Sequence, residues 1–189
     1  ICQGGEGGGH TGLVGGLPLI AQAVEAVKIP VVGAGGIYDG RGLAAVLGLG
    51  AVGVWVGTRF IASPEAHAGD LYRQTIVESS DEDTIRTRCY SGKPMRVRKN
   101  PYVDDWESRP ADIQPFPMQA MLSSRAGVMG GIGGQIEGLN PDSSCFAMGQ
   151  SAGGVHEVLP AAEIVARLVS GAEAAIDRLS ALRSAGVRA

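Results

Sequence analysis

The sequence predicts an α/β chain built on parallel strands, either part of a (β/α)8 barrel or a small open sheet. In the first half, short apolar runs that end in glycine alternate with segments of helical periodicity, which is the pattern of βα units. Only about three such units are visible in 189 residues, whereas a closed (β/α)8 barrel typically needs about 250 residues. From residue 81 onward the alternation stops, and Pro, Arg and Asp become frequent.

The first two βα units follow one another at the start of the chain. Residues 1–3 are interpreted as the end of a buried strand, because they are short, apolar and followed by glycine. Residues 17–27 carry apolar side chains at helical spacing, with Pro18 in the first turn, and predict a helix. The β-branched run IPVV that precedes GAGG, over residues 29–36, predicts a buried parallel strand.

The third unit continues the same pattern. Asp39 is predicted to cap a helix that Gly50 ends. The apolar run AVGVWVG, residues 51–57, predicts a second buried strand, and residues 65–79 predict a further helix. His67 is interpreted as an exposed residue at the start of that helix.

The second half is predicted to be a cap followed by a long helix. Residues 86–117 are interpreted as a loop or lid with one short strand, residues 118–131 as a helix that ends at glycines, and residues 134–144 as a turn. Residues 160–182 predict an amphipathic helix. Its apolar stripe comprises Ile164, Leu168, Ala172, Ile176 and Leu179.

Composition excludes several classes of function. The net charge of −3 gives no broad basic surface for nucleic acid, and no apolar run is long enough to cross a bilayer. Three widely spaced cysteines without a CxxC pair favour reduced thiols in a cytoplasmic protein and no metal site. The chain starts at Ile1 rather than Met and has no signal-peptide pattern, so we expect it to be a piece of a longer protein.

A glycine-rich loop with one histidine follows the first predicted strand. Eight of the first sixteen residues are glycine, and His10 stands among them. Glycine lets the backbone lie close against a ligand, and successive free N–H groups form an anion-binding nest. Histidine exchanges protons near neutral pH. The loop therefore predicts a binding site in which His10 does acid–base chemistry.

Two further turns predict a phosphate site. Gly35 and Gly36 follow the second predicted strand, and Gly57 and Thr58 follow the third. The first turn is not a dinucleotide fingerprint, because its third glycine comes too late and no acidic residue ends a following strand. Two adjacent strand ends that present N–H groups are nevertheless typical of phosphate binding in barrels.

The motifs QGGEGGGHTG, PVVGAGGI and GVWVGTRF occur here in the order found in the nitronate monooxygenase family, once called 2-nitropropane dioxygenases. The later GKPMRVRKN and MGQSAGGV also resemble that family, so the resemblance spans most of the chain. It implies the C-terminal portion of an FMN-dependent TIM barrel with an added cap. The domains it implies are the barrel portion over residues 1–80, a cap over 81–155 and a C-terminal amphipathic helix over 156–189.

The resemblance also implies roles for individual residues. His10 would be the catalytic residue that faces the substrate, and Gln150 and Ser151 would lie at the pocket mouth. The residues implied to contact FMN are Gln3, Gly8, Gly9, Gly35, Gly36, Trp55, Val56, Gly57 and Thr58.

The implied activity is FMN-dependent oxidation of small alkyl nitronates by oxygen, and a homodimer is compatible with it. One alternative is an FMN-dependent enoyl-thioester reductase or CoA-thioester dehydrogenase, with the basic residues of 86–99 meeting a phosphate. A second alternative is a barrel fragment without activity. The GQSAG motif matches a serine-hydrolase elbow, but no acid followed by histidine comes after Ser151, which argues against that chemistry.

Overall fold

The computed structural model describes residues 1–130 and 137–184. The first part of the chain contains β1 (Cys2–Gln3), β2 (Gly9–His10), α1 (Gly16–Ala26), β3 (Val32–Ala34), α2 (Gly40–Gly48), β4 (Gly53–Trp55), α3 (Thr58–Ile61) and α4 (Asp70–Glu78). The second part contains β5 (Thr84–Thr87), β6 (Met95–Arg98), α5 (Pro101–Glu107), α6 (Met118–Arg125) and α7 (Ala161–Ser184), with short 3₁₀ turns at Pro110–Asp112 and Gln150–Gly154.

The three predicted strands form a parallel sheet in the order β1-β3-β4. Cys2 lies beside Gly33, and Val54 lies on the other side of Gly33, so β3 is the central strand. Helices α1 and α2 connect consecutive strands, which confirms the predicted βα alternation. The carboxyl ends of all three strands consequently lie at one edge of the sheet.

The helix boundaries of these units follow from local chemistry. Asp39 caps α2 as predicted, because its carboxylate accepts the Gly42 N–H at 3.1 Å. Gly50 adopts a φ of +92° just after the helix, a conformation that favours glycine. The core under the sheet consists of Ile20, Val31, Ile37, Val46 and Ala51.

The prediction of one helix over residues 65–79 is wrong in its first turn, because α4 begins only at Asp70. The guanidinium of Arg73 donates hydrogen bonds to the backbone oxygens of Ser63, Pro64 and Ala66. Those carbonyl oxygens therefore accept hydrogen bonds from a side chain and not from the backbone N–H groups of a helix. The short helix α3 before this turn was not predicted.

The prediction of a lid with one short strand is also wrong. Strands β5 and β6 pair antiparallel, and β2 pairs with the other side of β6, so the cap contains a three-stranded sheet. In β6, Met95 and Val97 are buried while the intervening arginines are half-buried. The alternation of buried and half-buried residues extends over only four residues. Because two of these are arginines, the segment has the composition of a loop.

The long C-terminal helix is confirmed as α7 and packs on α2. A Cβ at Gly40 would lie 2.5 Å from the Cα of Gly171, so glycine permits the close approach of these helices. Ile164, Leu168 and Ala172 are buried, as the stripe predicts. Ile176 and Leu179 are instead about half exposed, which the stripe did not predict.

Three other predictions concern local detail. Helix α6 lies inside the predicted range 118–131 but ends at Arg125, where Gly127 takes a φ of +71°. The end of that range and the start of the predicted turn at 134–144 fall on residues 131–136, outside the described residues. Strand β4 is less buried than predicted, since Trp55 is 61% exposed at the sheet edge.

Candidate active site

A cavity of about 490 Å³ opens at the carboxyl ends of β1, β3 and β4. This volume is within the usual range for a small-molecule site. Of the residues predicted to contact a cofactor or substrate, those that line it are Gln3, Gly8, Gly9, Gly35, Gly36, Trp55, Gly57, Thr58 and Ser151. The parallel sheet explains this convergence, because the turns after its strands share one edge.

The glycine-rich loop between β1 and α1 is tied to the sheet by short hydrogen bonds. The Gly4 N–H donates to the Ala34 oxygen at 2.9 Å, which continues the β1–β3 ladder by one residue. The Thr11 hydroxyl donates back to the Gly4 oxygen at 2.9 Å, and the Gln3 amide donates to the His10 oxygen at 3.2 Å. These bonds close the loop into a fixed shape at the mouth of the cavity.

Glu6 connects three segments next to the cavity, a role that the sequence interpretation missed. Both of its carboxylate oxygens lie 2.9 Å from the N of Gly16, the first residue of α1. Its backbone oxygen accepts the Gln150 N–H at 2.9 Å. A negative charge at a helix N-terminus is favourable, so Glu6 joins the loop, α1 and the segment around Gln150. The available signal was a single carboxylate in a run of glycines before a helix.

Close backbone packing explains why glycines occur on both sides of this junction. A Cβ at Gly8 would lie 2.6 Å from the carbonyl carbon of Met148, and one at Gly149 would lie 2.6 Å from the Glu6 oxygen. Side chains at either position would separate the loop from the later segment. The contact therefore brings the MGQSAGGV segment to the same cavity as the glycine-rich loop.

Two turns at the cavity provide backbone N–H groups that can bind a ligand. They are the GG turn, Gly35–Gly36 after β3, and the GT turn, Gly57–Thr58 after β4. Gly35 and Gly36 adopt φ values of +92° and +73°, which favour glycine. Among the described residues, no hydrogen bond uses the N–H groups of Gly36, Gly57 or Thr58. The hydroxyl oxygen of Thr58, Oγ1, accepts the Gly149 N–H at 2.9 Å. The hydroxyl hydrogen of Thr58 therefore stays available as a donor. The two turns therefore offer several donors to one anion.

Space beside these turns is open where a ligand would approach. A Cβ at Gly9 or at Gly57 would meet no atom within 4 Å, and both glycines line the cavity. A planar or charged group can therefore contact the bare backbone at both places.

Three predicted site residues lie outside the cavity lining. Val56 packs against the core under the sheet, because successive side chains of a strand point to opposite faces. Gln150 lines shallower neighbouring depressions. His10 is exposed on β2 next to the lining residue Gly9, and its Nε2 lies 2.8 Å from Ser91 Oγ.

Among the lining residues that were not predicted, His67 and Tyr72 have titratable side chains. His67 lies in the turn before α4 and borders the cavity near the GT turn. Tyr72 on α4 is buried and donates its hydroxyl to the Ala147 oxygen at 2.5 Å. Burial raises the pKa of Tyr72 far above its ordinary value, so it stays a neutral donor. His67 is exposed, as predicted, but it lies in a turn and not at a helix start, because α4 begins only at Asp70.

In residues 1–130 and 137–184, no three His, Cys, Asp or Glu side chains come together as ligands for a metal. None of the helices in the described ranges is long and apolar enough to cross a membrane. The three cysteines are free thiols.

Parallel strands whose glycine-rich turns surround one cavity define a ligand-binding (β/α) barrel portion. Comparison with known proteins agrees: the sequence profile of the family described as nitronate monooxygenase matches residues 1–171. The chain belongs to the nitronate monooxygenase family.

Curated relatives and solved structures support this assignment. A probable nitronate monooxygenase of Staphylococcus aureus is 40% identical over 134 residues, covering 66% of this chain and 38% of the relative. FabK of Thermotoga maritima superposes with a TM-score of 0.83 at 35% identity, covering 95% of this chain and 55% of that one. Nitroalkane oxidase of Streptomyces ansochromogenes gives a TM-score of 0.79 at 31% identity, covering 94% and 52%.

The likeness to these solved structures shows that the parallel sheet is a barrel portion and not an open sheet. The superposed enzymes are TIM barrels, and the chain matches only part of each. Strands β1, β3 and β4 are therefore consecutive strands of a (β/α)8 barrel. The chain spans about two fifths of the curated relative and about half of the solved structures.

Proposed function

We propose that the protein carrying this chain is an FMN-dependent oxidoreductase that oxidises alkyl nitronates with oxygen. The observation that carries the proposal is the convergence of three glycine-rich strand ends on one cavity of about 490 Å³. Family membership supports the flavin and the reaction class. The residues proposed to contact FMN remain those predicted from sequence, apart from Val56, whose side chain faces the core.

The residues present fit FMN. Its phosphate would be held by the N–H groups of Gly36, Gly57 and Thr58, which have no other partner in the described chain. The open space at Gly9 and Gly57 admits the rest of the molecule close to the backbone. When bound, FMN supplies the electron acceptor for the reaction.

The protein contributes position and proton chemistry. His10 is the proposed catalytic residue: it would stabilise a bound nitronate anion, or remove the proton when a neutral nitroalkane binds. Ser151 lines the cavity and is proposed to contact the substrate, while Gln150 fixes the loop through its bond to Glu6. A homodimer and a cytoplasmic location remain predictions.

A second function within the same fold is an FMN-dependent enoyl-thioester reductase. The likeness to FabK, with a TM-score of 0.83, fits this candidate. Here His10 would exchange a proton at the carbon beside the thioester. Turnover of propionate 3-nitronate with oxygen supports the first function, whereas NAD(P)H-dependent reduction of an enoyl thioester supports the second.

The role of His10 is tested with His10→Ala in the complete protein. We expect FMN to stay bound and turnover of the preferred substrate to fall about 100-fold, because proton transfer contributes on that order. The matched control is His156→Ala, since His156 is exposed and lies outside this cavity. Full activity of the His10 variant would remove that residue from the mechanism.

A further inference from the structure

The imidazole of His10 is held by a residue from the cap. Its Nε2 lies 2.8 Å from Ser91 Oγ, although the two residues are 81 positions apart in the chain. Ser91 is only 3% exposed and lies in the turn between β5 and β6. His10 itself is exposed. The contact therefore joins an accessible imidazole to a buried hydroxyl.

The serine hydroxyl has a fixed position. The Lys93 N–H donates to Ser91 Oγ at 3.2 Å, and the same oxygen lies 3.3 Å from the Lys93 carbonyl. Gly92 has a φ of +82° and donates its N–H to the Arg88 oxygen at 2.7 Å, which keeps the turn tight. A flexible serine would not define the ring orientation, but this one is held by the backbone around it.

The histidine backbone is fixed relative to the same turn. His10 pairs with Met95 in the antiparallel β2–β6 ladder, and the next residue, Thr11, donates its N–H to the Pro94 oxygen at 3.2 Å. The strand that carries His10 is therefore paired with β6, which directly follows the turn that carries Ser91.

The contacts around Ser91 Oγ favour one protonation state of the neutral His10 ring. A serine hydroxyl has one hydrogen and two lone pairs. The Lys93 N–H uses one lone pair, and the Lys93 carbonyl can only accept the hydroxyl hydrogen. All three contacts are satisfied only when His10 donates from Nε2–H to the second lone pair. The neutral ring then carries its free lone pair on Nδ1.

No carboxylate competes for this role among the described residues. The charged side chains on β5, β6 and the turn between them are all cationic: Arg86, Arg88, Lys93, Arg96 and Arg98. The carboxylate of the glycine-rich loop, Glu6, accepts the Gly16 N–H and not a hydrogen from His10. Lys93 Nζ lies 4.0 Å from the Phe116 ring centroid. Arg96 and Arg86 donate to the Gly5 and Gly12 oxygens. The hydroxyl is thus the polar group of these elements that contacts the ring.

We propose that Ser91 is a positioning residue: it holds His10 in the Nε2–H tautomer and leaves Nδ1 as the nitrogen that accepts a proton from the substrate. The proposal rests on the function proposed above for His10. It deepens that function by naming the basic atom and the residue that selects it.

The first test reads the tautomer directly and needs no activity. The protein is labelled with ¹⁵N-histidine, and its three histidines, His10, His67 and His156, are assigned by single substitutions. At a pH where His10 is neutral, we expect separate Nδ1 and Nε2 shifts that identify Nε2–H, and Ser91→Ala should move them toward each other. An Nδ1–H tautomer in the wild type, or shifts unchanged by Ser91→Ala, would overturn the proposal.

The second test uses two substrates that differ by one proton. For a neutral nitroalkane, Ser91→Ala should lower kcat/KM about 10-fold or more, because a misplaced base is costly. For the corresponding nitronate, which has already lost that proton, the value should change little. Ser91→Thr keeps a hydroxyl and should restore activity, and Ser124→Ala, on the exposed face of α6, is the control.

The outcomes separate the two proposals. If His10→Ala is impaired on the nitroalkane and Ser91→Ala is not, the positioning role is wrong and the proposed function stands. Equal losses on both substrates in Ser91→Ala would contradict Nδ1 as the base, because the nitronate has no such proton left to give. If the wild type turns over neither substrate, the proposed function fails, and the tautomer measurement alone decides the role of Ser91.

Discussion

At the scale of single residues, the site depends on backbone that carries no side chain. Gly35 and Gly36 have positive φ values, and Gly9 and Gly57 face open space at the cavity. Gly35, Gly36 and Gly57 were predicted because glycine directly follows a predicted strand there, whereas Gly9 was implied by the family resemblance. Glu6 and Ser91 were not predicted, since each acts through a partner distant in sequence: Gly16 or Gln150 for Glu6, and His10 for Ser91. No local pattern encodes such pairs.

The absence of a side chain at Gly57 has a direct test. Gly57→Ala adds a methyl group that meets no protein atom within 4 Å but occupies space beside the cavity. We expect unchanged thermal stability and FMN affinity weakened about 10-fold or more, since one extra methyl in a tight site costs on that order. Affinity is measured by flavin fluorescence in the complete protein.

The matched control is Gly48→Ala. Gly48 also has open space at its Cβ position, but it lies in α2 and outside the cavity lining. The Gly48→Ala variant should leave FMN affinity unchanged. It should raise thermal stability slightly, because alanine has a higher helix propensity than glycine. Equal FMN affinities for the wild type and Gly57→Ala would show that no ligand approaches this turn.

At the scale of elements, the agreement between prediction and structure depends on the length of each pattern. Strand β3 and helices α1, α2 and α7 were recognised because periodicity, caps and terminal glycines agree. The β5–β6 hairpin was missed, because each strand has four residues and β6 alternates Met and Val with Arg. The start of α4 was misplaced because the hydrogen bonds of Arg73 to the preceding turn cannot be read from local sequence.

The link between the loop and α1 can be tested by charge removal at opposite ends of that helix. Glu6→Gln removes a negative charge next to the N-terminal Gly16 and should lower the free energy of unfolding by about 0.5–1 kcal/mol. Glu25→Gln removes an exposed charge near the C-terminus of α1 and should be neutral or slightly stabilising. Urea unfolding curves measure both. If both variants change the free energy of unfolding by the same amount and in the same direction, the position of the charge along α1 has no effect, which would contradict the prediction.

At the scale of the whole molecule, a barrel portion and a cap meet around one cavity. The glycine-rich loop belongs to both, since it continues the β1–β3 ladder and also supplies β2 to the cap sheet. The barrel portion was predictable from sequence, because βα units repeat one pattern. The cap sheet was not, because its strands pair across more than 80 residues between β2 and β6.

The buried thiols of the cap make stability depend on pH at alkaline values. Burial raises the pKa of Cys89 to about 12 and also raises that of Cys145. An unfolded thiol ionises near pH 8.5. Above that pH the unfolded state therefore binds fewer protons than the folded state, and stability falls as pH rises toward 12.

We expect the free energy of unfolding to fall above about pH 8.5 by on the order of 1.4 kcal/mol per pH unit for each buried thiol. Cys89→Ala should make this slope shallower, whatever its effect on absolute stability. Cys2→Ala is the control, because Cys2 lies on β1, outside the cap core. A slope that Cys89→Ala leaves unchanged would assign the alkaline loss to other groups.

The central claim is that the turns after β3 and β4 hold the phosphate of FMN. The most direct measurement is a crystal structure of the complete flavin-loaded protein. We predict phosphate oxygens within hydrogen-bond distance of the N atoms of Gly36 and Thr58, with the flavin in the cavity beside Gly9. A phosphate bound elsewhere, with both N–H groups facing solvent, would contradict the account.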